Sequence, residues 1–342
     1  MRLRQEGDEL ARIAVDAMGG DNAPQAIVQG CIEAVNNDPH LHIILCGPED
    51  EMARQLGGFS QRISIVHAPD VISNHDQPTA AIRRKTESSL VKAMELVKDG
   101  GADAIVTAGS TGAALAGGIF RIGRIRGIER PALAPILPTA KGKPVMLIDC
   151  GANVDSKPGY LVDFALMGSA YMSGVIGVSK PKVALVSVGD ESEKGNALTK
   201  AAFPLLEESG VNFVGNIEGR YLLSGDVDVL VCDGFSGNLI LKHTEGVAQV
   251  LTDMMKEEFL SDTRSKLGAL LLKPAFRRFR KRMDYTEYGG APLLGVSGVV
   301  VKAHGSSNAK AFSMAIAQAK NIFNGSVVEK IQNDIRNRED SL

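Results

Sequence analysis

Short apolar, β-branched runs alternate with longer helical patterns along almost the whole chain, and no other feature limits the fold so sharply. The runs fall at 13–17, 41–46, 63–68, 104–108, 145–150, 183–188, 211–215, 227–232 and 299–303. Most are apolar on both faces, as strands of a parallel sheet must be when helices cover both sides. Between them, periodicity predicts helices at 24–35, 79–98, 161–175 and 196–208. The alternation predicts a three-layer α/β/α sandwich, mostly parallel, with right-handed crossovers. Near the C-terminus the rhythm breaks. Residues 239–282 read as two successive helices with no strand between, a helical hairpin projecting from the sandwich over about 239–283, and a last helix starts near Asn308. The 342 residues allow one large domain or two. Residues 1–11 are polar and read as a flexible extension, leaving 12–342 as the folded domain.

Composition removes several classes. Apolar residues are 44% and charged residues 23%, the balance of an ordinary soluble globular protein. No run approaches the roughly 18 consecutive apolar residues of a spanning helix, and no signal segment opens the chain. Cys31, Cys46, Cys150 and Cys232 lie far apart without a Cys-x-x-Cys pair, which fits buried thiols in a reducing cytosol. No two glycines are separated by a single residue, so the dinucleotide fingerprint and the kinase glycine loop are excluded in their standard forms. The P-loop, the Gly-x-Ser-x-Gly elbow and the His-Glu-x-x-His zinc motif are missing too.

The loops after the strands are distinctive. They read Asp16-Ala-Met-Gly-Gly-Asp-Asn-Ala-Pro24, Ala108-Gly-Ser-Thr-Gly-Ala113, Asp149-Cys-Gly-Ala-Asn-Val-Asp155, Asp233-Gly-Phe-Ser-Gly-Asn238 and Lys302-Ala-His-Gly-Ser-Ser307. In open parallel sheets ligands gather at the carboxyl ends of strands. Glycine lets backbone N–H groups converge, and Ser, Thr or Asn can cap a helix or donate to an anion. One such loop is a helix cap; several on one rim point to a phosphate or oxyanion site.

These loops, with Ile13-Ala-Val-Asp16 ahead of the first and Tyr288-Gly-Gly-Ala291, resemble the PlsX-type phosphate acyltransferases of bacterial phospholipid synthesis, in the expected order over about residues 12–335. The chain reads Gly109-Ser-Thr-Gly112 where that family usually has Gly-Asn-Thr-Gly. The resemblance implies transfer of a long-chain acyl group from acyl–acyl carrier protein to inorganic phosphate, without a cofactor. It also implies a homodimer, a fold similar to isocitrate dehydrogenases and phosphate acetyltransferases, and a cytoplasmic enzyme that passes acyl phosphate to an integral membrane acyltransferase. A short acyl-CoA donor, a metal- and NAD-dependent hydroxyacid dehydrogenase, and a non-catalytic scaffold are the rival readings.

Phosphate would itself be the nucleophile, so catalysis would rest on positioning, oxyanion stabilisation and departure of a thiolate. The expected catalytic residues are Asn153, Lys242, Lys302 and His304. The expected phosphate-binding set is Gly19, Gly20, Asp21, Asn22, Ser110, Thr111, Gly112, Gly151, Gly234, Ser236, Gly237, Asn238 and Ser306. Capping alone is the competing role for Asn153 and Asn238. If Asn238 caps its helix, Lys242 falls in the first turn, where the dipole disfavours a cation unless an anion is near. His304 is read either as the proton donor to the thiolate or as a brace for its loop. Asp16, Asp21, Asp149 and Asp233 are read as loop anchors rather than metal ligands, and Cys150 and Cys232 as core.

The formal charge of −2 conceals a split. Residues 264–282 carry eight Lys or Arg and no acid, so a body of −10 bears a +8 projection. Leu267, Leu270, Leu271 and Leu272 stand beside Arg277, Arg278, Arg280, Lys281 and Arg282. That pattern suits an anionic membrane, an acidic carrier protein or, through its apolar side, a second copy. No nucleic-acid motif accompanies it.

Overall fold

A computed structural model of the chain describes residues 10–59, 61–283 and 289–339. The first half runs β1 (Ala11–Asp16), α1 (Gln25–Asn37), β2 (Leu41–Gly47), α2 (Glu49–Leu56), β3 (Ile63–His67), α3 (Pro78–Arg84), α4 (Ser89–Lys98), β4 (Ala104–Thr107) and α5 (Thr111–Gly117). The chain continues through β5 (Ala132–Leu133), β6 (Ile136–Leu137), β7 (Val145–Ile148), α6 (Pro158–Tyr171), β8 (Lys182–Ser187), α7 (Ala197–Glu207), β9 (Asn212–Glu218) and β10 (Val229–Val231). Then come α8 (Gly234–Phe259), α9 (Thr263–Met283), β11 (Ala291–Leu294), β12 (Val299–Lys302), α10 (Ala309–Asn324) and α11 (Val327–Glu339).

Two sheets form the middle layer of an α/β/α sandwich. The larger has the order β3-β2-β1-β4-β12-β11-β5 and the smaller β6-β7-β10-β8-β9. All pairings are parallel except those of β11 with β12 and β5, and of β6 with β7. Strands β1, β4, β7 and β10 are almost wholly buried, as their unbroken apolar runs require. The seam between the sheets is 132–137. Ala134 N–H donates to Pro292 O (3.0 Å) on one side, while Leu147 and Cys150 donate to Pro135 O (3.0 Å) and Leu133 O (2.8 Å) on the other.

Several expected elements differ. Ala11, read as part of the loose extension, already pairs, its N–H donating to His40 O at 3.0 Å. The helix expected at 79–98 is two. It breaks at Lys85, whose ammonium reaches Val71 O and Asp76 (both 2.8 Å), and Ser88 Oγ then bonds Lys85 O (2.7 Å). Side chains bonding the local backbone compete with helix continuation. The last helix likewise divides, at Gly325–Ser326, where Ser326 adopts φ 50°. The stretch Pro158–Ile176 is long and apolar enough to cross a membrane, but 67% of its window is buried inside the protein, as suits a core helix.

The helical hairpin is present and starts earlier than expected. Only Gly234 and Gly237 of α8 are buried, so the helix touches the sandwich chiefly through its beginning. Phe259 and Phe276, edge to face at 5.7 Å, join α8 to α9. Leu267, Leu270, Leu271, Leu272, Arg277 and Arg278 are all exposed. The side chains of Arg280, Lys281 and Arg282, and Tyr288, lie outside the described residues.

Candidate functional site

The carboxyl ends of β1, β4, β7 and β12 carry loops rich in the residues the sequence singled out, and most of those residues bond to one another. Asp16 accepts from Ser89 Oγ (2.6 Å) and Thr107 Oγ1 (2.7 Å). Burial outweighs these donors and pushes its carboxyl above the usual range. Gly19 lies against that carboxylate and Gly20 against Ala108. Asp21 N–H donates to Gly305 O (2.8 Å), and Asn22 Nδ2 donates to Ser306 O (3.1 Å) and Ser307 O (3.3 Å). The loop after β1 thus ties down the loop after β12.

Asp149 plays the same part in the other sheet. Its Oδ1 accepts from Leu133 N–H (2.9 Å) and Ala152 N–H (3.1 Å), and its Oδ2 from Asn153 N–H (2.6 Å) and Asn153 Nδ2 (3.0 Å). Here too burial holds the pKa above the ordinary carboxylate value. Asn153 Nδ2 also donates to Pro131 O (2.8 Å), so its amide hydrogens are committed to the seam. Asn153 is buried and stands outside the cleft described below. Its O accepts from Gly234 N–H (2.8 Å), which seats the first turn of α8. A Cβ on Gly237 would lie 1.8 Å from Asp149 O, so only glycine permits this approach.

The cap of α8 corrects the placement of Lys242. Asp233, not Asn238, caps the helix, accepting from Ser236 N–H (2.9 Å) and Ser236 Oγ (2.8 Å). Asn238 therefore sits in the second turn and Lys242 in the third, beyond the reach of a dipole argument confined to the first turn. Ser236 spends its hydroxyl on the cap. Ser110 caps α5 toward Ala113 N–H (3.5 Å), and Gly112 lies against the Pro78 ring.

A second group of predicted residues converges on open space. A cleft of about 310 Å³ lies where the two sheets meet, and Thr111, Gly151, Asn238, Lys242, Lys302 and His304 all line it. Gly151, at φ 110°, turns the chain beside Asn238 in a conformation that side-chain-bearing residues rarely adopt. The opposite wall is apolar, built from the seam residues Leu133, Pro135, Ile136 and Leu137 with Leu241 of α8. Sequence reasoning missed that wall, because two-residue strands have no readable periodicity.

Lys302 is buried, and its ammonium donates to Ala303 O (2.5 Å) and Ala108 O (3.3 Å). Burial lowers its pKa to about 8, Lys242 pushes the same way, and Asp16 and Asp21 oppose the shift. His304 Nδ1 accepts from Ser306 N–H (3.2 Å) and meets Ser306 Oγ at 2.8 Å. A neutral ring held this way carries its proton on Nε2. Lys242 pairs with Glu245 at 2.7 Å, a carboxylate on the cleft wall that sequence reasoning also passed over. Cys150 and Cys232 are buried as expected, with burial raising both thiol pKa values. Two cations, a histidine and amide and hydroxyl groups facing an apolar wall can hold an anion beside a hydrocarbon chain.

Comparison with known proteins identifies the family and the fold. A family model described as "Fatty acid synthesis protein" matches residues 11–330. The phosphate acyltransferase of Clostridium acetobutylicum is 55% identical over 326 residues, spanning 94% of this chain and 98% of its own length. That of Clostridium botulinum strain Loch Maree is 52% identical over 328 residues, spanning 95% and 98%. Among solved structures, a phosphotransacetylase from Streptococcus pyogenes has a TM-score of 0.61 at 18% identity over 94% of each chain. A 4-hydroxythreonine-4-phosphate dehydrogenase from Klebsiella pneumoniae reaches 0.52 at 16% identity, over 92% of this chain and 100% of its own. At such identities the likeness is one of fold alone. The match over 11–330, with identity above one half to two relatives along nearly their whole length, places the chain in the fatty acid synthesis protein family of PlsX-type phosphate acyltransferases: it is an acyltransferase.

Proposed function

We propose that the chain transfers a long-chain acyl group from an acyl–acyl carrier protein to inorganic phosphate, a step of phospholipid synthesis. The observation that carries this reading is the cleft itself, in which Lys302, Lys242 and His304 face the apolar wall Leu133–Leu137. Phosphate binds between the two lysines with Thr111 and Asn238 as further donors, and the acyl chain lies along the wall. A phosphate oxygen attacks the thioester carbonyl, the new O–C bond forms as the C–S bond breaks, and the proton of hydrogen phosphate ends on the departing thiolate. His304, on the cleft wall with its remaining N–H at Nε2, donates a hydrogen bond to the departing sulfur while the proton passes to it from the phosphate. No enzyme nucleophile takes part. Positioning the two reactants replaces it.

The strand-end acids support this reading over a metal-dependent dehydrogenase, because Asp16, Asp149 and Asp233 are each committed to hydrogen-bond donors of the chain itself. The hairpin supports the remaining parts of the proposal. Its exposed leucines beside Arg277 and Arg278 suit an anionic membrane surface, where a membrane acyltransferase would collect the product. The same charges suit an acidic carrier protein, and the exposed apolar positions of α8 suit a second copy in a homodimer.

The test is incubation with acyl–carrier protein and phosphate, reading release of the carrier thiol. Release that depends on phosphate and exceeds release from short acyl-CoA is expected. No phosphate-dependent release from folded protein overturns the reading, and preference for short acyl-CoA transfers it to that donor.

A further inference from the structure

We propose that Glu245 is a displaceable counter-ion: it occupies Lys242 while the cleft is empty and sets phosphate affinity by competing with the substrate for that lysine. The inference deepens the phosphate reading above and rests on it. Glu245 and Lys242 stand three residues apart on one face of α8, with Lys242 Nζ 2.7 Å from the carboxylate. The two partners are unequally placed, since the Glu245 side chain is 18% exposed and that of Lys242 55%. Both line the cleft, Glu245 as the more buried partner and Lys242 as the more exposed one. Among the described residues that carboxylate has no hydrogen-bond or ion-pair partner except Lys242.

The rest of the cleft explains why such a group is useful. Lys302 lies close enough to Lys242 for the second charge to depress its pKa. Two like charges on one small opening repel each other until an anion bridges them. Glu245 partly neutralises the pair in the resting state. When phosphate bridges the lysines, the carboxylate becomes a like charge beside the substrate, and Lys242 must exchange one partner for the other. The buried acids near the cleft cannot do this. Asp149 and Asp16 are buried and held by several donors each, whereas Glu245 is held by one exposed lysine that can turn away.

Glu245→Gln keeps the shape of the side chain and removes its charge. Titration with inorganic phosphate is expected to show a KM for phosphate about threefold lower, the size of a partly exposed ion pair, with the change falling on KM rather than kcat. Glu245→Asp, which retains the charge, is expected to return KM toward that of the unaltered protein. Calorimetric titration with inorganic phosphate alone reads the same affinity change without acyl transfer. A phosphate KM and a calorimetric dissociation constant that are unchanged or raised in Glu245→Gln overturn the proposal. So does a fall in kcat at constant KM, which would make the carboxylate a base. Tighter phosphate binding by Glu245→Gln in a protein that transfers no acyl group would sustain the counter-ion and overturn only the functional reading.

Discussion

The strand-end loops and the exposed face of α8 are built from similar polar residues used in opposite ways. In the loops, Asp16, Asp149, Asn153 and Asn22 are bonded to backbone and hydroxyl groups of their own or adjoining loops. On α8, Asn238 and Lys242 face open space, and Lys242 pairs with Glu245. The contrast follows from burial. A buried polar group left without a partner costs roughly 1–3 kcal/mol, so the loops satisfy themselves and become a rigid frame. A group on an open helix face keeps water as its alternative partner and remains free to exchange it for substrate.

The sharpest way to break this contrast is to strike the frame where it meets α8. Gly237→Ala places a Cβ 1.8 Å from Asp149 O, so α8 must lift from its seat. The expected loss is about 3 kcal/mol or more, read as a lower urea midpoint. An unchanged midpoint would show that the seat is soft. Lys302→Met tests the one cleft cation that belongs to both worlds. Its activity is expected to fall about a hundredfold, as for loss of one preorganised charge-stabilising donor. Its stability is expected to hold or rise, because burial penalises the ammonium.

The pH dependence of Lys302 carries the same sign. With a folded pKa of about 8 against the 10.5 of a free lysine, the unfolded chain binds more protons between those values. The contribution of Lys302 therefore lowers stability below about pH 8, and stability climbs as pH rises through 8 toward 10.5. Lys302→Met should remove that climb in thermal melts taken across the window. Over the same range phosphate KM should increase, since the lysine loses its charge.

The exposed side of the comparison predicts small effects on stability. Leu271 is 82% exposed, so Leu271→Glu should shift stability by less than about 0.5 kcal/mol. If the hairpin meets lipid, the same change abolishes flotation with anionic vesicles while the molecular mass in solution is kept. Retained flotation would assign that surface elsewhere.

Much of the fold was legible because the apolar runs of β1, β4, β7 and β10 are continuous and their helices periodic. Strands β5 and β6, of two residues each, escaped because neither is long enough to show a pattern, and β11 because Pro292 reads against a strand. Of the candidate site, Lys302, His304, Thr111, Gly151, Asn238 and Lys242 lie together on the cleft. Asn153, Ser236, Gly234 and Gly237 carry the same chemistry in the sequence, but they support the frame. The distinction turned on which residue caps α8. Asp233 and Asn238 are both good capping residues, and choosing the first moves every later side chain five positions further into the helix.

The amino-acid sequence by itself determined that strands with two apolar faces must lie between helices, that loops of Gly, Ser, Asn and Asp end them, and that a +8 segment stands apart from an acidic body. These are local properties, fixed by periodicity, composition and charge. Only the tertiary structure decided which polar groups are spent on the frame and which remain for a ligand. It also set Lys302 against Lys242 and both against the wall at 133–137. Those groups are far apart in the chain, and whether a side chain keeps its hydrogen-bonding capacity depends on the neighbours that folding brings to it.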